Sequence, residues 1–221
     1  MALAIFDLDH TLLSGDSDHS WGQFLVDQGM VDSEIYQKSN DYFFEQYKRG
    51  ELAIFEYLEF AMKPLTEHPL PVLLEARETF LKERIEPLVS DASRKLIQSH
   101  KYKGDTLLII TATNGFVTYP IAELLDIEHI IAPHPEVIDG NYTGKIVGTP
   151  SYQHGKVERL NDWLKEHNQS LDGSYFYSDS HNDLPLLREV EHPVAVDPDD
   201  TLRAIAEENG WPVISLACAE A

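Results

Sequence analysis

A four-residue apolar run, Leu3 to Phe6, stops at Asp7, and the next run of its kind, Leu107 to Ile110, begins 100 residues later, far more than one crossover helix needs. A third run, Tyr175 to Tyr177, ends at Ser178-Asp179, and Ile130-Ile131 and Val194 to Val196 are weaker runs, each with a proline close behind. Short runs without polar alternation suit strands buried on both faces. Helix-like stretches separate the later runs: Phe116 to Leu125, Val157 to His167 with Leu160 and Leu164 on one face, and Thr201 to Glu208. Strands alternating with helices predict an α/β chain with a parallel sheet covered on both sides.

The long interval itself reads as helix: Trp21 to Gln28, Ser33 to Tyr47, Ala53 to Met62 and Val72 to Ile85, with Gly29, Gly50, Pro64, Pro69 and Pro71 as breaks. Because the Asp7 strand precedes it, the interval is expected to be an insertion. Residues 16–87 form a helical cap domain in this reading, and 1–15 with 88–221 form the α/β core. Downstream, Asp139-Gly140 between extended residues of Val137 to Thr143 signals a β-hairpin.

Charge narrows the partners. Lys and Arg number 17 against 38 Asp and Glu, a formal charge of −21, which argues against nucleic acid and anionic membranes, since both demand a basic surface. The single cysteine, Cys218, cannot form an internal disulfide. The apolar start lacks basic flanks and no spanning segment is visible, so a cytoplasmic setting is expected.

The chemistry gathers at strand ends, where open parallel sheets place their ligand crevice. Asp7-Leu8-Asp9-His10-Thr11 sets two carboxylates two residues apart just past the first strand. Alone it also reads as a capped turn. Thr111 ends the second strand, Lys156 opens a helix after Gly155, and Asp179-Ser180-His181-Asn182-Asp183 follows the third. Each has a plain structural role available, as a surface lysine, a strand-end residue or helix-capping acids. Together they supply what phosphoryl transfer needs: a nucleophilic carboxylate, a second carboxyl to move a proton, Mg²⁺ ligands, and a cation and hydroxyl for the phosphoryl oxygens.

In order and spacing these residues resemble the four motifs of the haloacid dehalogenase superfamily of phosphatases, and most resemble its phosphoserine-phosphatase-like branch, from Leu3 to about Ser215. The resemblance implies a Rossmann-like core with an inserted helical cap. It also implies a Mg²⁺-dependent phosphomonoesterase acting on a small molecule through an aspartyl-phosphate. Asp7 would be the nucleophile and Asp9 the proton shuttle. Asp7, the Asp9 carbonyl, Asp179 and Asp183 would hold Mg²⁺, and Thr111, the Ala112 amide, Lys156 and Asn182 the phosphoryl oxygens. Ser178 stands where the branch more often has glycine. Dehalogenases of the superfamily need neither metal nor shuttle, so retention of Asp9, Asp179 and Asp183 favours phosphate chemistry.

A receiver-like switch domain phosphorylated on Asp is the alternative from another class. It predicts about half this length, no helical insertion and the accepting Asp on a later strand. For the substrate, Asp16 lies nine residues after Asp7, where phosphoserine phosphatases place a glutamate that contacts the substrate amine. Their cap arginine, which holds the substrate carboxylate, has no match in the acidic and aromatic stretch Phe55 to Phe60. The segment Gly15 to Trp21 resembles bacterial members assigned as histidinol-phosphate phosphatases, whose substrate has an amine and an imidazole but no carboxylate. Asp16 and Asp18 are therefore candidate substrate ligands, or else caps of a helix starting near Ser20. Phosphoserine remains the alternative substrate. Trp21 with Phe24, and Phe43 with Tyr47, recur at helical spacing and are expected in the core of the cap.

Overall fold

The computed structural model describes residues 2–217; Met1 and Cys218 lie outside them. Leu3–Phe6 (β1) is buried throughout. Its alternate side chains enter two apolar clusters on opposite sides, Ala4 and Phe6 in one, Leu3 and Ile5 in the other. This is the signature of a strand covered on both faces, and it explains a run without polar positions.

Four helices follow: α1 (Ser17–Asp27), α2 (Ser33–Lys48), α3 (Ile54–Glu67) and α4 (Leu70–Phe80). α1 buries Trp21 and Phe24, which stack on each other and meet Phe80 edge-on; each such side chain contributes about 1.5–3 kcal/mol of burial. Pro64, expected to end a helix, lies inside α3 instead. Its ring removes one backbone donor, but Ala61, Met62 and Leu65 on both sides of it are buried, and that packing outweighs the lost bond. The helical segment leaves and rejoins the rest of the chain at one place, where Leu13 bridges Val89 and the Ser14 amide donates to the Leu88 carbonyl at 2.9 Å.

The chain continues through α5 (Asp91–Lys103), β2 (Thr106–Ile110), α6 (Gly115–Leu124), β3 (His129–Ile131), β4 (His134–Ile138), β5 (Asn141–Val147), α7 (His154–His167), β6 (Tyr175–Ser178), α8 (Leu184–Leu187), β7 (His192–Val196), α9 (Asp200–Asn209) and β8 (Val213–Ile214). Six strands form one sheet in the order β3-β2-β1-β6-β7-β8. Every pairing in it is parallel, with Phe6 against Ile109 on one side and Tyr177 on the other. Sequence order reverses at β1, the switch point where a crevice opens beyond the strand ends. β4 and β5 form a separate antiparallel hairpin, and Asp139 and Gly140 at its turn have φ of 51° and 79°, as a two-residue hairpin turn requires. No helix among the described residues is long and apolar enough to cross a membrane.

Candidate active site

Asp7 is the first residue past β1, and its amide donates to the Tyr177 carbonyl at 2.9 Å. It is therefore fixed to β6 as firmly as the strand itself. Leu8–Leu12 then makes one wide turn, closed by the Leu13 amide on the Leu8 carbonyl, with His10 at φ 55°. Beyond this turn the Asp9 carboxylate accepts from the Ser17 amide at 2.6 Å and the Thr113 hydroxyl at 2.8 Å. Burial, then the charge of Asp16, push Asp9 up to about 6, against those hydrogen bonds. A carboxyl held near neutrality suits a group that must both give and take a proton.

Lys156 lies in the first turn of α7, which begins at His154 rather than at Lys156. Gly155 is required there, because a Cβ would meet the Pro150 carbonyl oxygen at 2.0 Å. The Lys156 side chain is 2% exposed. Its ammonium donates to Asp7 at 2.6 Å and to Asp183 at 2.7 Å. Burial opposes its charge, but Asp183 and Asp7 outweigh burial and raise its pKa, so it remains an ammonium. Burial, only partly offset by Lys156, pushes Asp7 up to about 7, and Asp183 and Asp9 add to the rise. Ser178, the departure from the branch pattern, donates to Asp183 at 2.7 Å and so holds that carboxylate in place.

Asp179 follows β6, and Thr11 ties it to the first motif: its hydroxyl donates to the Asp179 carboxylate at 3.2 Å and accepts the Asp179 amide at 3.1 Å. Burial, then Asp7 and Asp183, raise Asp179 well above the usual carboxylate range. Thr111, buried at the end of β2, accepts the Thr113 amide at 3.1 Å, and its carbonyl accepts the Ser151 hydroxyl at 2.6 Å. Asn182 is anchored by three neighbours. Its amide nitrogen donates to the Tyr47 carbonyl at 2.9 Å, and its oxygen accepts from Tyr152 and Gln153, each at 3.1 Å. In this arrangement it fastens the helical segment to the sheet.

A cavity opens on this cluster, lined at one end by Asp7, Asp9, Thr111, Ala112 and Thr113. Asp16, Asp18, His19 and Asn40 also line it, with walls from Phe43, Phe44, Tyr47, Leu52 and Tyr57. Asp16 is the N-cap of α1, accepting the Asp18 and His19 amides at 2.9 and 2.8 Å. The helix therefore starts at Ser17 rather than near Ser20, and Asp18 lies inside its first turn instead of capping it. Phe43 and Tyr47, expected in the core of the cap, pack against the main apolar cluster and also line the cavity, whereas Trp21 and Phe24 are fully enclosed. Thr11, Thr113 and Tyr57 were not singled out by the sequence. The two threonines lie inside the motif segments, but nothing local marks a tyrosine on a helix as a wall of this cavity.

The donor set can be tested against Mg²⁺. Asp7, Asp179 and Asp183 act on one another and share a single ammonium, Lys156, an imbalance that a divalent cation would cancel. Among the described residues no trio of His, Cys, Asp or Glu side chains is gathered tightly enough to cage an ion alone. Mg²⁺ does not need one, since it keeps several waters and takes one or two carboxylates with other oxygens. The residues present fit the ion.

Residues 4–188 match the pattern of the haloacid dehalogenase-like hydrolases. A histidinol-phosphatase of Neisseria meningitidis serogroup C is 46% identical over 97% of this chain and 98% of its own length. Phosphoserine phosphatase SerB1 of Mycobacterium tuberculosis is 30% identical, over 96% of this chain and 70% of its own. Among solved structures, a Bordetella pertussis protein of unknown function superimposes with a TM-score of 0.92 at 44% identity, covering 97% of this chain and 98% of that one. A substrate-bound phosphoserine phosphatase shares the fold, with a TM-score of 0.72 at 18% identity over 96% of this chain and 92% of that one. This match, the inserted helical segment and the acid on the first strand set the receiver alternative aside. The chain belongs to the haloacid dehalogenase-like hydrolases and is an enzyme of their phosphatase kind.

Proposed function

We propose that the protein is a Mg²⁺-dependent phosphomonoesterase that hydrolyses a small, nitrogen-bearing phosphoester such as histidinol phosphate through an aspartyl-phosphate. The observation that carries the reading is Lys156, which holds Asp7 and Asp183 together beneath a cavity where Asp9 is secured by Thr113 and the Ser17 amide. Residues 16–87 are read as the cap and the remainder as the hydrolase core, in a cytoplasmic enzyme.

In the first step an Asp7 oxygen forms a bond to phosphorus in line with the departing alcohol. The bond from phosphorus to the alcohol oxygen breaks, and Asp9 gives that oxygen its proton. In the second step Asp9 takes a proton from water, whose oxygen attacks phosphorus and releases the Asp7 carboxylate. Lys156 stays charged throughout and offsets the repulsion between Asp7 and the anionic ester. Thr111 and the Ala112 amide line the cavity beside Asp7 and are read as donors to the phosphoryl oxygens; one Asn182 N–H is read as a third. Mg²⁺, held by Asp7, the Asp9 carbonyl, Asp179 and, directly or through water, Asp183, would supply charge neutralisation of the phosphoryl group.

Phosphoserine is the weaker reading, because among the described residues no Lys or Arg lines the cavity and its carboxylate would be buried unpaired. The histidinol-phosphatase relative supports the stronger one. The test is an initial-rate comparison of histidinol phosphate, phosphoserine and glycerol phosphate with Mg²⁺, for the wild type and Asp7→Asn. The variant should lose at least about a thousandfold in kcat with an unchanged circular dichroism spectrum. Near-wild-type turnover by the variant would overturn the nucleophile assignment.

A further inference from the structure

The cavity runs from the reacting cluster to α1. Asp9, the proton shuttle of the proposed reaction, must lie beside the departing oxygen, and it accepts the Ser17 amide at the start of α1. The rest of the alcohol therefore extends along the first turn of that helix. There stand Asp16 and Asp18, with Asn40 and His19, against the rings of Phe43, Phe44, Tyr47 and Tyr57. The two acids are not equivalent. Asp16 serves the helix cap, its Oδ1 accepting two backbone amides. Asp18 lies beside the Tyr57 hydroxyl of the neighbouring α3, near enough for the two groups to act on each other.

Among the described residues no Lys or Arg lines the cavity to answer Asp18, and the His19 ring is paired with Asp41 at 3.0 Å. Burial, then the charge of Asp16, push Asp18 up to about 8. An acid kept in such a place without a cation is destabilising on its own. A cation brought by the substrate removes that cost, and the surrounding rings favour it further. A carboxylate on the same alcohol would meet acids only.

We infer that Asp18, which lines the cavity beside Tyr57, is the residue that selects the substrate: it pairs with a protonated nitrogen on the leaving alcohol and turns away alcohols that carry a carboxylate. This rests on the phosphatase reading above and specifies which group of that site reads the substrate. It narrows the recognition of the amine from the two candidates, Asp16 and Asp18, to Asp18, whereas the resemblance to phosphoserine phosphatases pointed to Asp16.

The test compares Asp18→Asn with the wild type on histidinol phosphate and glycerol phosphate, and measures competitive inhibition by histidinol. Asparagine keeps an acceptor for Tyr57 and removes only the charge. The ratio of kcat/KM for histidinol phosphate over glycerol phosphate should fall at least about tenfold, mostly through KM, and histidinol should inhibit correspondingly less. A ratio and an inhibition constant unchanged by the substitution would overturn the inference while leaving the phosphatase reading intact. A wild type that hydrolyses neither ester would overturn the phosphatase reading and this inference with it.

Discussion

At the strand end of the cavity Asp7 and Asp183 share the Lys156 ammonium at 2.6 and 2.7 Å, whereas at the helical end Asp18 has a phenol for a partner and the charge of Asp16 for a neighbour. Both ends are sheltered acids, and among the described residues a cation answers the strand end alone. The paired end keeps its electrostatics whatever alcohol is bound, as a reaction common to many phosphoesters requires. The unpaired end is completed only when a ligand supplies the missing charge, as selection among those esters requires.

The largest effect is expected from removing the shared cation. Lys156→Met leaves Asp7 and Asp183 buried without an ammonium. Stability in urea without divalent ions should fall by about 3–5 kcal/mol, and kcat by at least about a thousandfold. A variant with wild-type stability would show that the paired end is not held by that ion pair.

A smaller effect of opposite sign is expected at the other end. The folded chain raises Asp18 from 3.8 to about 8, so it binds that proton more tightly than the unfolded chain does. The contribution to stability is therefore fully present below about pH 4 and is lost as pH rises through 8. Asp18→Asn removes that loss: thermal stability at pH 7.5 should rise by about 1 kcal/mol, and the difference should vanish near pH 4. A destabilised variant at neutral pH would mean that the charge at this end is already compensated within the chain.

The smallest effect belongs to Ser178→Gly, which restores the residue more usual in the branch. It removes one donor to Asp183, at 2.7 Å, and should lower kcat/KM about two- to fivefold, with stability changed by about 1 kcal/mol. No change in kcat/KM would mean that Lys156 alone suffices to orient Asp183.

The two ends also differed in how well the sequence announced them. β1, β2 and β6 were legible because a strand buried on both faces must be apolar at successive positions, and a polar residue at its end then stands out. The hairpin was legible because Asp139-Gly140 suits a turn that few other pairs adopt. β8, only Val213–Ile214, is too short to show a period. α5 buries little besides Ser93, Ile97 and His100 and has no apolar stripe to notice. The cavity walls were half legible for a different reason. Phe43 and Tyr47 recur at the spacing of a helix face and do pack on the core, but that spacing does not tell that they also border a hollow. The orientation of Asn182 depends on the Tyr47 carbonyl, 135 residues away in the chain, which no local pattern encodes. Positions set by their own strand end were readable, and those set by docking of the helices were not.

The crossing point where Leu13 meets Val89 has a consequence for how such a chain can change. A segment that departs and returns through adjacent residues imposes no distance constraint on the sheet, so its length and contents can be exchanged without altering any strand pairing. The half of the cavity that distinguishes one alcohol from another is carried on that detachable loop, and the half that breaks the phosphoester bond is not. On the proposed reading, new substrates can be acquired by replacing a module, provided it again presents an amide such as that of Ser17 to Asp9.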